Sequence, residues 1–179
     1  MNQNKFSNHF YYIILTGRKG KNIFADECDK SQFLNIVQRI YTKSIYKVCS
    51  YCILDNDVHL LMISKDPKSA NKISLLIEEY SQYYKETHDD KIVILKKHDM
   101  KKIISPVEKC IEIHMLPVKT GITERVQDYW WSSFGTYYRK NMKKHIDPED
   151  ILNLISDKKR EAKKKFMEMH KFAIPDKEV

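Results

Sequence analysis

The stretch Tyr51-Cys52-Ile53-Leu54-Asp55-Asn56-Asp57-Val58-His59-Leu60-Leu61 decides how this chain folds. Asp55-Asn56 is a turn pair set between two runs rich in aromatic, β-branched and aliphatic residues, which together predict a hairpin. Its strands run over about Ile45 to Leu54 and Asp57 to Ile63. Successive side chains on a strand point to opposite faces, so Asp57 and His59 share one face and Val58 and Leu60 the other. Two imidazoles at that spacing would grip one divalent cation; with a carboxylate at the first position the pair is expected to hold one only weakly. The competing reading is a turn aspartate followed by a hydrogen-bonded histidine at the sheet surface.

Working outward, Phe10 to Thr16 has strand composition and closes on Gly17-Arg18-Lys19-Gly20-Lys21, a loop of glycines and cations. Asp29 or Ser31 is placed to cap a helix whose apolar residues Phe33, Ile36, Val37 and Ile40 recur at helical spacing. A second helix is expected over about Ser69 to Thr87. The spacing of Tyr80, Tyr83 and Tyr84 on it predicts packing rather than chemistry. Lys91 to Leu95 is a candidate strand. Ser105-Pro106-Val107-Glu108 predicts a helix start with a serine cap, proline at the first helical position and a capping-box glutamate. Pro117 limits that helix to about Met115. Beyond Thr123 the pattern reads as helical, with Trp130, Trp131, Tyr137 and Tyr138 available for burial. Asp147-Pro148-Glu149-Asp150 opens a short helix, and Ser156 to Lys171 forms a lysine-rich one that docks through Phe166 and Met169.

This order predicts an α+β fold: a ferredoxin-like antiparallel sheet with helices on one face. Residues 1–140 are expected to form the main domain and 141–179 a basic C-terminal helical extension. An RNA-recognition sheet of similar order would carry aromatic stacking motifs on its strands, and no such string is evident.

A chain of 179 residues is long enough for one sizeable core. Its formal charge of +8 permits nucleic acid, an anionic membrane or an acidic protein as partner and selects none of them. No apolar run approaches the roughly 18 residues of a membrane span, so a cytoplasmic location without membrane contact is expected. Cys49 and Cys52 form a lone CxxC on a predicted strand, where an i, i+3 pair faces opposite ways. With Cys28 and Cys110 they read as buried, reduced thiols.

Four blocks resemble the REP-associated tyrosine transposases of the single-tyrosine HUH superfamily. They are Tyr11-Tyr12-Ile13-Ile14 through Gly17 with Ile23-Phe24; the hairpin through Asn56-Asp57-Val58-His59-Leu60-Leu61; Ile113-His114 with Pro117-Val118-Lys119-Thr120-Gly121; and Tyr129-Trp130-Trp131-Ser132-Ser133. The resemblance covers about residues 8 to 140. It implies a ferredoxin-like fold in which two histidines and a polar helix residue hold Mg²⁺ or Mn²⁺. A helix tyrosine then attacks a phosphodiester of single-stranded DNA, which is covalent catalysis with Lewis-acid help.

Carried over position by position, the resemblance puts Asp57 at the first histidine, His59 at the second, Glu112 at the nucleophilic tyrosine and Leu116 at the helical metal ligand. Glu112 is no stable carrier of a DNA end, and Leu116 has no lone pair for a cation. The implied Mg²⁺ or Mn²⁺ is therefore expected to be held weakly or not at all. The leading expectation is a DNA-binding protein of transposase lineage with impaired or lost nicking, acting on hairpin or single-stranded DNA as a monomer or homodimer. RNA is the alternative nucleic acid. Arg18, Lys19, Lys21, Lys96, Lys97, Lys101 and Lys102 are the candidate backbone contacts. Two other readings stay open: a metal-dependent nuclease built on Asp57, His59 and Glu112, and a structural or protein-interaction remnant.

Overall fold

A computed structural model describes residues 9–17, 22–42, 46–64, 72–88, 95–97, 101–139 and 146–172. Strand β1 (His9–Gly17) leads to helix α1 (Glu27–Thr42), then to the hairpin of β2 (Tyr46–Ile53) and β3 (Asp57–Ser64). Helix α2 (Lys72–Thr87) precedes two short strands, β4 (Leu95–Lys97) and β5 (Lys101–Ile103). Helix α3 (Pro106–His114) and the single turn α4 (Leu116–Lys119) follow. Short helices α5 (Phe134–Tyr138) and α6 (Glu149–Leu152) come next, and α7 (Lys159–Phe172) ends the described chain.

The sheet has the order β2-β3-β1-β4, with β5 also on β1, and every pairing is antiparallel. The α+β expectation is met. The register places Tyr12 opposite Leu61, Ile14 opposite His59 and Thr16 opposite Asp57. Cys52 also lies opposite His59, and Ser50 opposite Leu61. Tyr12, His59, Asp57, Cys52 and Ser50 therefore belong to one sheet face. β3 is buried from Val58 to Ser64 without alternation, so that strand is covered on both faces. Helices α1 and α2 pack on each other, while α3 lies across β2 and β3.

The junction between α1 and α2 is aromatic. Phe24, Phe33 and Tyr80 meet edge-on or tilted at centroid distances of 5.2–5.7 Å, and the Tyr80 hydroxyl donates to the Ile23 carbonyl at 2.7 Å. The tyrosines of α2 are thus packing groups, as their spacing implies.

Local signals differ from expectation at several points. Helix α1 begins at Glu27, and its cap is Asp26, whose Oδ1 accepts from the Asp29 N–H at 3.0 Å. Asp29, taken with Ser31 as the candidate cap, lies instead inside the first turn. It is fully buried and accepts from the Ala25 N–H at 2.7 Å and from the Tyr83 hydroxyl. Ser105 does stand at the α3 cap with Pro106 behind it, but its side chain makes no capping bond, so the predicted box does not close. The segment after Thr123 is mostly irregular: a 3-10 turn at Val126–Asp128, a loop, then α5. Its backbone is spent on the sheet, because Ile53 N–H donates to Trp131 O at 2.8 Å and Ser133 N–H to Tyr51 O at 2.9 Å. Cys28 is exposed, contrary to the expectation of four buried thiols; Cys49, Cys52 and Cys110 are buried, and all four are free.

Candidate functional site

The Pro117-Val118-Lys119-Thr120-Gly121 block turns the chain sharply after α3. Gly121 has φ 73°, and the Gly121 N–H donates to Val118 O while the Ile122 N–H donates to Pro117 O. This glycine-terminated helix end satisfies the last carbonyls of α4. Nothing lies within 4 Å of a Cβ placed at Gly121, so the requirement for glycine there is conformational rather than steric. The turn fixes Leu116 and Lys119 beside the outward side of α3.

Between that side of α3 and β1 lies a small pocket of about 90 Å³ lined by Tyr12, Lys109, Glu112, Ile113, Leu116 and Lys119. Tyr12 reaches it from β1 and is bound to His59, Oη to Nδ1 at 2.6 Å, with the rings stacked 6.0 Å apart. Burial, then the carboxylates of Glu112 and Asp57, push the Tyr12 phenol up to about 12, so it stays protonated at neutral pH. Burial holds the His59 imidazole below its ordinary value, partly offset by Asp57 and reinforced by Lys109. In one tautomer of His59 the Tyr12 hydroxyl donates to Nδ1 and the ring proton sits on Nε2; in the other it accepts from Nδ1–H and Nε2 carries the lone pair. Lys109 Nζ lies 5.0 Å from the Tyr12 ring centroid and forms an ion pair with Glu112.

The structure thus brings together His59, Glu112 and Leu116 around a residue the sequence reading overlooked, Tyr12. Its signal was present but undecidable: strand alternation puts Tyr12 with Ile14 and Thr16, yet only the β1–β3 register shows which residue of the hairpin it meets. Asp57 is half-buried opposite Thr16. Among the described residues, no three His, Cys, Asp or Glu side chains stand together as a metal set. The donors present do not fit a divalent-cation centre of the implied kind: of its three positions only Asp57 and His59 carry a donor, the third is the aliphatic Leu116, and the nearby Glu112 carboxylate is paired with the Lys109 ammonium.

Of the candidate backbone contacts, Lys101 and Lys102 are exposed on β5, opposite Tyr12 and Tyr11 respectively. Lys96 and Lys97 form part of β4, opposite Thr16 and Leu15. Arg18, Lys19 and Lys21 lie outside the described residues.

On its inner side α3 carries a different set of polar groups. His114 is fully buried; its Nδ1 lies 3.1 Å from His170 Nε2 on α7, and its Nε2 lies 2.7 Å from Ser133 Oγ and 3.1 Å from Ser50 Oγ. The proton positions follow from one end. His170 Nδ1 donates to the Phe166 carbonyl at 2.8 Å, which leaves Nε2 to accept from His114 Nδ1–H. His114 Nε2 then accepts from Ser133, whose Oγ in turn accepts from the Tyr51 N–H at 2.9 Å. Burial holds both imidazoles below the ordinary histidine value, well below for His114.

No protein-family model and no curated protein matches the sequence. The fold is similar to that of a solved structure described as the REP-associated tyrosine transposase bound to a REP hairpin. The TM-score is 0.55 at 13% identity, covering 84% of this chain and 93% of that one. The two share a fold. No helix among the described residues is long and apolar enough to cross a membrane.

Proposed function

We propose that this chain is a DNA-binding protein of transposase lineage that holds hairpin or single-stranded DNA and whose tyrosine-dependent nicking is impaired or lost. The single observation that carries the reading is the fold shared with a hairpin-bound transposase across 84% of the chain. It is supported by the pocket under α3, which is lined by Glu112, paired with Lys109, and by Leu116, the residues that the sequence resemblance puts at the nucleophile and at the helical metal ligand. A carboxylate aligned with the attacking phenol gives no durable phosphotyrosyl link, so binding without a covalent step is the function left to the scaffold. Exposed Lys101, opposite Tyr12 on the edge strand, extends the cationic surface on that face of the sheet, while Lys102, opposite Tyr11, belongs to the other face.

The test is a titration of a labelled DNA hairpin carrying a single-stranded tail, at two salt concentrations. The affinity is expected to fall with salt on log–log axes by about 0.7–0.9 per neutralised phosphate. Absence of binding at low salt overturns the proposal. A protein–DNA adduct that survives denaturing electrophoresis, or manganese-dependent cleavage abolished by His59→Ala, overturns the loss of chemistry.

A further inference from the structure

We propose that the α3 pocket is a metal-free phosphate site in which the ammonium of Lys109 takes over the cation's work and Glu112 acts as an internal competitor. This rests on the nucleic-acid reading above and adds the ligand class and the residues of the site. Three observations carry it.

The first is the disagreement just described: the pocket's donors do not fit a divalent cation, yet its cationic side chains do fit an anion. Lys109 and Lys119 line it, and Lys101 lies opposite Tyr12 in the adjoining strand register. The second is the way Lys109 is held. Its Nζ rests over the Tyr12 ring, and its side chain is 25% exposed, so the charge is fixed at the mouth of the pocket rather than free in solvent. Tyr12 is itself tied to His59, so the platform beneath the ammonium has a single orientation. The third is Glu112. Its carboxylate pairs with Lys109 at the pocket wall and is 52% exposed, free to swing outward when a stronger anion arrives. A phosphodiester presents two charged-delocalised oxygens to an ammonium, as a carboxylate does, and so competes for the same partner. A lysine in this role neutralises and positions the phosphate as a point charge. It offers none of the open coordination positions through which a metal activates a nucleophile. The site grips backbone without cutting it.

The experiment compares wild-type protein with Lys109→Met, Lys119→Met, Glu112→Gln and the control Lys164→Met on α7, using the labelled DNA hairpin with a single-stranded tail. Each is measured over a salt series, with EDTA and with added manganese. Unchanged far-ultraviolet circular dichroism confirms that each variant folds. Lys109→Met is expected to weaken binding and flatten the salt slope by about one unit, against no change in slope for Lys164→Met. Glu112→Gln is expected to bind several-fold more tightly. EDTA and manganese are expected to leave all affinities unchanged. Loss of wild-type binding in EDTA overturns the proposal, as does a Lys109→Met slope equal to the control's or a Glu112→Gln affinity no better than wild type. Wild-type protein that fails to bind at low salt removes the broader nucleic-acid reading as well, which separates the two failures.

Discussion

Helix α3 has two sides that obey different rules. On the outer side, Lys109 and Glu112 face an open pocket with water at hand. On the inner side, His114 sits among Ser50, Ser133 and His170 with no exposure at all. An exposed polar residue that changes identity leaves its neighbours free to turn to solvent. A buried one that changes leaves a donor or acceptor stranded, which costs about 1–3 kcal/mol for each group. On the proposed function, the difference teaches how a scaffold parts with reactive groups and keeps its shape: the groups that line the outer pocket and those that hold the helix in place are separate sets on the same few turns.

The largest expected contrast lies between positions 112 and 114. His114→Ala removes a ring packed against Phe134, Tyr137, Phe166 and His170 and strands the Ser133 and His170 partners. Urea unfolding is expected to show a loss of about 3–4 kcal/mol. Glu112→Ala should stay within about 0.5 kcal/mol of wild type. Equal losses at the two positions break the comparison.

Acid should act on the inner side next. His114 and His170 are held below the ordinary histidine value of 6.5 by burial, so the unfolded chain takes up protons first as pH falls. Their stabilising contribution is complete above 6.5 and declines as pH drops from there toward the folded-state values. Hydrogen-bonded to His114 are the Ser50 and Ser133 hydroxyls, and the Tyr137 ring, whose phenol burial keeps protonated, packs on it; none of these supplies a negative charge at neutral pH. Melting temperatures measured from pH 7.5 down to 5.5 should fall, and a His170→Phe variant should show a shallower decline. A flat profile in the wild type sinks the neutral-pair assignment.

A smaller effect is expected from Ser133→Ala, which deprives His114 Nε2 of its shorter bond and the Tyr51 N–H of its acceptor. Ser50 remains within reach of the imidazole, so the loss should be about 1–2 kcal/mol by urea unfolding. Smallest is Tyr12→Phe in the outer pocket. Stability should change by less than about 1 kcal/mol. The readable consequence is at His59: without a donor to the lone pair of its neutral form, the imidazole should titrate at a higher pH, followed by its ring proton resonances. No shift would mean that the Tyr12 hydroxyl does not donate to Nδ1 across the 2.6 Å contact.

Much of the fold was legible because hydrophobic period and turn chemistry are local. The hairpin around Asp55-Asn56, the face shared by Asp57 and His59, the Phe33-to-Ile40 stripe and the proline start of α3 all appear where the sequence puts them. What was missed depends on partners distant in the chain. Lys101-Lys102-Ile103 has no strand pattern of its own and is a strand only because β1 offers an edge. The Trp131–Ser133 segment looks helical by composition but is drawn out by bonds to Tyr51 and Ile53. His114 and His170 are 56 residues apart, and nothing in either neighbourhood announces the other. The same holds for Tyr12 and His59, 47 residues apart. Asp57 and His59 were singled out by strand spacing and Glu112 by the family resemblance; the lysine that pairs with Glu112 was not, since one more lysine in a cation-rich chain carries no distinguishing mark.

The bridge between Cys52 and Ser132 has a further consequence. It lies along the rim of the sheet at β2, where unpaired amides and carbonyls otherwise invite another chain to add a strand. At the opposite rim, β4 and β5 are short and rich in lysine, a composition that repels a second copy of itself. The Tyr51–Ile53 end of one border is occupied by the chain's own backbone and the other border carries like charge, so strand addition by a second copy is resisted at both of these places.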